Sequence, residues 1–397
     1  MEKVVHLTSV HPPFDVRIFH KECKSIARAG YDVTLIACHE KDETKDGVRI
    51  RALPKVSGRL PRMVRGVWAV YWEALRLSAD LYHFHDPELL PVGLLLRRKG
   101  KIVVYDVHED VSEDVAMKAY IPWGFRHLLA WVVSLLEIFS SRFFSAVVPV
   151  TTRISRRFET RNPHTVIVHN YPVLEDPQRP VEYPWAQRSF SVAYAGVIAK
   201  DRCLFEMVKA MNLLPDNLRV TLKLAGKFSP ERLREEVQEI AGWHRVEFLG
   251  LVDRARVREL FDDAWAGLLL YRPDPNSLEA APNKLFEYMQ AGIPVIASDL
   301  PGFRMVIEEA RCGLLVDPLA PKAIAGAIEY LFNHPEEAEE MGHRGREAVL
   351  GRYNWASEER KLLGLYRELF GTRCSGEGSL VRHKDGNILV GTLTEDK

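Results

Sequence analysis

Two carboxylates, Glu279 and Glu287, stand in the stretch Asn276 to Asp299, NSLEAAPNKLFEYMQAGIPVIASD, with seven residues between them. Pro282 suits the first position of a helix, because its fixed φ fits there and its missing N–H would have no intrahelical partner. That assignment leaves Glu279 in the preceding loop and puts Glu287 about one and a half turns inside the helix. Ala291-Gly292 then stop the helix before an apolar strand, Pro294 to Ala297. The backbone of Ala280, Ala281, Pro282 and Asn283 becomes the positive end of the helix, where unpaired N–H groups attract phosphate, and Lys284 adds a formal charge. An acid beside such a cradle cannot itself be a phosphate ligand. It suits the hydroxyl groups of a polyol joined to that phosphate, and a sugar nucleotide carries both parts. The competing reading is a surface helix with solvated acids, which the Pro, Lys and Ala-Gly-Ile-Pro-Val context disfavours.

A second cationic turn lies upstream. In YAGVIAKDRCLFEMVKA, Gly196 ends a strand, Leu204 opens a helix, and Lys200 and Arg202 stand between them. Basic residues on a strand-to-helix turn suit a diphosphate whose growing charge must be balanced as it leaves. In KIVVYDVHED, His108 ends another strand beside several acids. His83 and His85 in LYHFHDPELL share a strand face by alternation, but acid or Cys ligands at metal-site spacing are missing around them. Asp86 precedes Pro87 and reads as a helix cap. In the opening loop, TSVHPPFDVRIFHKE, Asp15 could cap the next helix, while His11, Asp15 and Arg17 are equally readable as ligand contacts.

These motifs resemble the family 4 glycosyltransferases, retaining enzymes of the two-domain GT-B fold, over about Val4 to Phe370. The resemblance implies that Glu279 contacts the donor sugar, Glu287 the nucleotide ribose, and His108 a sugar hydroxyl. It carries Arg202 over as the diphosphate ligand, with Lys200 as a substitute, since Val197 and Cys203 replace residues the family usually has there. The opening loop lacks the commoner Gly-Gly, which leaves His11 to Arg17 unassigned. The implied activity is transfer of a hexose-like unit from a nucleoside diphosphate sugar to a saccharide or lipid-linked acceptor in polysaccharide biosynthesis, without a cofactor or metal. Rival readings are a sugar-nucleotide 2-epimerase on the same fold and a non-catalytic sugar-nucleotide-binding subunit of a transferase complex.

Positioning such residues requires strands that end where helices begin. Apolar strands at Val4 to Leu7, Val33 to Ala37, Leu81 to Phe84, Ile102 to Tyr105, Val147 to Val150 and Val166 to Val168 alternate with helical stretches Phe19 to Ala29, Val64 to Ser78, Glu88 to Leu96 and Phe125 to Ser140. A second series runs from Phe190 through Gly313 to Val316, with helices Pro321 to Phe332, Pro335 to Arg352 and Trp355 to Leu369. The expectation is an α/β chain of two tandem doubly wound, Rossmann-like domains facing across a cleft: an acceptor-side domain over 1–170, a Pro-rich linker over 171–188 and a nucleotide-sugar domain over 189–354. A helix over 355–370 would cross back to the first domain. The tail 371–397 reads as mobile, with a small hairpin at Val381 to Leu393 as the alternative.

Composition sets outer limits. The 397 residues carry 54 Lys+Arg and 54 Asp+Glu, but residues 1–170 hold 25 basic against 19 acidic side chains and 171–397 hold 29 against 35. This asymmetry argues against a nucleic-acid partner and allows an anionic acceptor or membrane surface to meet the first half. Five unpaired cysteines and the short apolar start fit a reducing, cytoplasmic setting. Ile121 to Ser141 is interrupted by Arg126 and Glu137, so it does not span a bilayer. Arg59, Arg62 and Arg65 before Val67 to Leu77 suit either peripheral contact with the inner membrane face or core packing with a solvated basic end.

Overall fold

The computed structural model describes residues 1–56, 58, 61–109, 115, 123–174, 183–274, 277–278 and 282–374. Its first sheet contains β1 (Lys3–Leu7), β2 (Asp32–Cys38), β3 (Glu43–Lys45), β4 (Val48–Leu53), β5 (Leu81–Phe84), β6 (Ile102–Val107) and β7 (Ala146–Pro149), in the order β3-β4-β2-β1-β5-β6-β7. All pairs are parallel except β3 with β4. The core strands are nearly continuous apolar runs because helices cover both faces. α1 runs over Val16–Cys23 and on through Lys24–Arg28 on one face; α2 (Val67–Leu77), α3 (Leu90–Arg98), α4 (Trp123–Ser141) and α5 (Thr152–Phe158) follow in the chain, with α2, α3 and α4 packed in series.

The second sheet has the order β10-β9-β8-β11-β12-β13, all parallel: β8 (Ser191–Ala195), β9 (Thr221–Ala225), β10 (Val246–Gly250), β11 (Ala266–Leu269), β12 (Val295–Ser298) and β13 (Gly313–Val316). Its strand order reverses between β8 and β11, the crevice where doubly wound sheets take ligands. Around it pack α6 (Leu204–Leu213), α7 (Leu233–Gln238), α8 (Arg254–Asp263), α9 (Asn283–Ala291), α10 (Pro301–Ala310), α11 (Pro321–Asn333) and α12 (Pro335–Gly351).

α13 (Trp355–Cys374) returns to the first domain, where Trp355, Leu362, Leu365, Tyr366, Leu369 and Phe370 enter the core between β1, β2 and α1. Three local expectations change. Val166 to Val168 runs beside β7, its N–H groups donating to Val147 and Pro149, but makes a single bridge rather than a strand, because the Val168 carbonyl turns to accept from Arg17 Nη1 at 2.9 Å. The β3–β4 hairpin, turned at Asp46-Gly47 with φ of 50° and 79°, was not anticipated. Pro282 occupies the cap rather than the first helical position, with ψ of 144°, so α9 starts one residue later. The tail beyond 374 and much of the expected linker lie outside the described residues.

Candidate active site

Three neighbouring strands of the second sheet, β8, β9 and β10, end at Gly196, Gly226 and Gly250, each with positive φ. At Gly226 the reason is steric: a Cβ there would lie 1.8 Å from the Gly196 carbonyl oxygen. Two backbones thus meet at their carboxyl ends without side chains between them. The space beyond is a cavity of about 470 Å³ lined in part by Gly196, Gly226, Lys227, Arg254, Glu287 and Arg346.

α9 brings Lys284 and Glu287 to this edge. Lys284 and Glu287, three apart, share a helix face. Lys284 Nζ sits 2.7 Å from where a Gly196 Cβ would stand and 3.8 Å from the centroid of the Tyr194 ring. Burial, then the Arg202 charge, lower the Lys284 pKa to about 7, with Glu287 opposing. Arg202 lies with its guanidinium 3.8 Å from the Tyr271 centroid and 3.4 Å from Asp201. The two cations are near neighbours held on aromatic faces, an arrangement that invites a polyanion. Glu287 is half-buried and 3.5 Å from exposed Arg254. Asn283 is exposed at the start of α9. Lys200 does not join them: its Nζ pairs with Glu236 at 3.2 Å on the surface and lies over Phe205. Glu279, Ala280 and Ala281 lie outside the described residues. Lys227, Arg254 and Arg346 were not singled out from sequence; the available signal was a glycine closing each of three successive strands.

The first domain contributes a buried polar network at the ends of β1, β5 and β6. His108 Nε2 is 2.7 Å from Asp106 Oδ2 and 3.1 Å from His85 Nδ1. Asp106 also accepts from Arg17 through Nε at 3.1 Å and Nη2 at 2.8 Å. Burial opposes ionisation of Asp106, but Arg17 and His108 outweigh it and hold the carboxyl well below its usual range. Burial lowers His85 to about 4, against the pull of Asp106, and keeps His6 and His83 neutral as well. Tyr366 of α13 bridges His83 Nδ1 at 2.8 Å and His6 Nε2 at 3.3 Å. Arg17 is therefore an internal counter-ion rather than a ligand contact. Asp15 caps α1, accepting from Arg17 and Ile18 N–H. His11 stays at the surface of the cluster: burial disfavours its charge, yet Asp15 and Asp86 raise its pKa overall. Asp86 occupies the N-cap position before Pro87, but its side chain makes no capping hydrogen bond. Its Oδ2 accepts from Thr8 Oγ1 and from Ser9 N and Oγ, bracing the opening loop.

Among the described residues, Glu22, His83, His85 and Asp106 bring ligand-type atoms within 4.8 Å of one another. Arg17 lies 3.0 Å from Glu22 and 2.8 Å from Asp106 and already supplies a cation to both carboxylates. Burial, then Asp106, push Glu22 well above the carboxylate range. The cluster is charge-compensated without a metal.

Known proteins share the two-domain architecture. The description "Glycosyl transferase 4-like domain" matches residues 16–172 and "Glycosyl transferases group 1" matches residues 177–348. The chain is 32% identical over 155 residues to the phosphatidyl-myo-inositol mannosyltransferase of Mycobacterium leprae, 37% of each chain. It is 26% identical over 189 residues to the alpha-maltose-1-phosphate synthase of Mycolicibacterium smegmatis, 45% of this chain and 48% of that one. These matches span less than half the length of either relative. In fold it is similar to the sucrose-phosphate synthase of Thermosynechococcus elongatus, with a TM-score of 0.69 at 19% identity over 94% of this chain and all of that one. It is also similar to Anabaena HepE in complex with UDP, with a TM-score of 0.68 at 15% identity over 93% of this chain and all of that one. With both halves matched and the two facing sheets in place, the chain belongs to the group 1, family 4 glycosyltransferases of the GT-B fold.

Proposed function

We propose that the protein transfers a sugar from a nucleoside diphosphate sugar to a saccharide or lipid-linked acceptor with retention of anomeric configuration. The observation that carries this reading is Lys284 Nζ packed against Gly196, with Arg202 and Glu287 as its charged neighbours, at the strand-order reversal of the second sheet. In the proposed complex the diphosphate lies over Gly196 between the two cations, and Glu287 accepts from the ribose hydroxyls. Glu279 would hold the donor sugar and His108 would approach it from the opposite domain. UDP bound to HepE and the mannosyltransferase name of the M. leprae relative support a nucleotide-sugar donor.

Retention by double displacement would need a carboxylate beneath the anomeric carbon. Of the first-domain acids beside His108, Asp106 is buried and bound to Arg17, which removes it as a nucleophile. Departure of the diphosphate with same-face attack fits better, and charge balance by Arg202 and Lys284 is then the largest catalytic term. No step requires a metal, so turnover is expected to persist with a chelator present.

A thermal-shift panel of UDP, GDP, dTDP and ADP sugars, followed by product analysis with and without acceptors, tests this reading. At least one nucleotide sugar should raise the melting temperature, because it binds only the native state. Its sugar should move only when an acceptor is present. Conversion of the donor alone would mean an epimerase, and binding without turnover across a broad acceptor panel would mean a non-catalytic subunit.

A further inference from the structure

α4 has its polarity reversed. Its inward side holds Glu137, which accepts from Tyr105 Oη at 2.6 Å and from Arg157 Nη2 at 2.9 Å, and Ser134, which accepts from Arg157 at 3.1 Å. Its outward side presents Leu128, Trp131, Val132, Leu135, Leu136 and Phe139, all exposed and spaced by one, three or four residues. No exposed side chain from Leu128 to Phe139 is charged. A solvent-facing helix normally shows the opposite pattern. In the same helical layer, with α3 between them, α2 presents Trp68 and Trp72, four apart and exposed. Among the described residues every exposed tryptophan, three in all, lies on these two helices.

We infer that this face docks on an anionic lipid bilayer, with α4 lying in the plane of the interface. Charge selects that occupant. The segments 62–77, 90–101, 123–145 and 152–161, which carry this helical layer, hold thirteen Lys or Arg and three Glu. Such a surface complements anionic headgroups and opposes pairing with a second copy of itself. Arg142, packed over Phe139 and Phe143, joins the two chemistries at the end of the stripe. From Leu128 to Phe139 the stripe measures about 17 Å, well short of a hydrocarbon core of about 30 Å. No described helix is long and apolar enough to cross a membrane. A helix apolar on one side and bonded to its own domain on the other therefore lies in the interface rather than across it. Tryptophan suits that depth because its ring is apolar and its N–H stays wet.

The test is flotation of the full chain with phosphatidylcholine vesicles that contain or lack phosphatidylglycerol. The wild type should float only with the anionic vesicles, less so at high salt, and its tryptophan fluorescence should be quenched by brominated lipid. The double variant Leu135→Glu/Leu136→Glu should partition at least tenfold less while keeping the same circular dichroism and nucleotide-sugar affinity. Absence of both flotation and quenching in the wild type, or undiminished flotation of a folded double variant, would overturn the inference. So would a wild-type dimer, seen by light scattering, that the double variant converts to monomer. Because the readout is lipid binding, it is independent of whether sugar transfer occurs.

Discussion

Burial and the neighbouring Arg202 lower the Lys284 pKa to about 7 against the opposing Glu287, so near neutral pH the empty site holds this lysine part-protonated. A diphosphate arriving at Nζ favours the ammonium form and raises that pKa. Affinity for a sugar nucleotide, whose diphosphate is esterified at both ends, should then be full below about pH 7 and decline as pH rises toward the bound-state value. Titration calorimetry in buffers of different ionisation heat should show proton uptake on binding near pH 8, and Lys284→Arg should abolish it because guanidinium stays charged. Without ligand, the depressed pKa means that the folded chain binds fewer protons than the unfolded one between about 7 and 10.5, so this group makes stability rise with pH across that window. In the first domain, Asp106 orients His108 and neutralises Arg17. Asp106→Asn keeps the shape but leaves Arg17 with one fewer charge partner, which should lower stability by about 3 kcal/mol in urea titration and reduce kcat more than donor affinity. These partnerships were only partly readable in the chain. Lys284, Glu287 and Arg202 lie within motifs and could be found there, whereas Asp86 looked like a cap because its real partners, Thr8 and Ser9, are 78 and 77 residues away.

At the scale of elements, the site depends on strands that stop together. The ends of β8 and β9 meet so closely that a methyl group at 226 would collide with the Gly196 carbonyl, at a φ of 141° that side-chain-bearing residues rarely adopt. Gly226→Ala should therefore lower stability by roughly 3 kcal/mol and weaken nucleotide-sugar binding, read from the urea midpoint and a thermal shift. The alternation of apolar and amphipathic runs revealed the parallel strands other than β4, and the longer helices, since period and length report burial directly, but α5, α7, α8 and α10 and the β3–β4 hairpin were not singled out. α4 shows the limit of that signal. Its apolar run and the interruption at Glu137 are plain in sequence, but which side faces inward depends on Tyr105 and Arg157 reaching Glu137 from other elements. Likewise His6 and His83 stand side by side only because β1 and β5 pair in that register.

In the whole molecule, one junction ties the two domains. Tyr171 stacks on His169 at 4.7 Å and meets Phe286 of α9 and Tyr353 edge-on at 5.0 and 5.4 Å, while Trp355 N–H donates to the Pro172 carbonyl. α13 then carries Tyr366 into the histidine network of the first domain, so the helix that follows the second domain also braces the first. His108 stands just past the end of β6 in the first sheet, and Lys284, on α9, lies against Gly196 at the end of β8 in the second. The most direct measurement is calorimetric titration of the nucleoside diphosphate sugar that gives the largest thermal shift into wild type, Lys284→Ala and Glu287→Ala. Wild type should bind, and each variant, still folded, should bind at least tenfold more weakly, a loss of about 1.4 kcal/mol or more. Wild-type affinity in both folded variants would contradict a nucleotide site at Gly196 and α9.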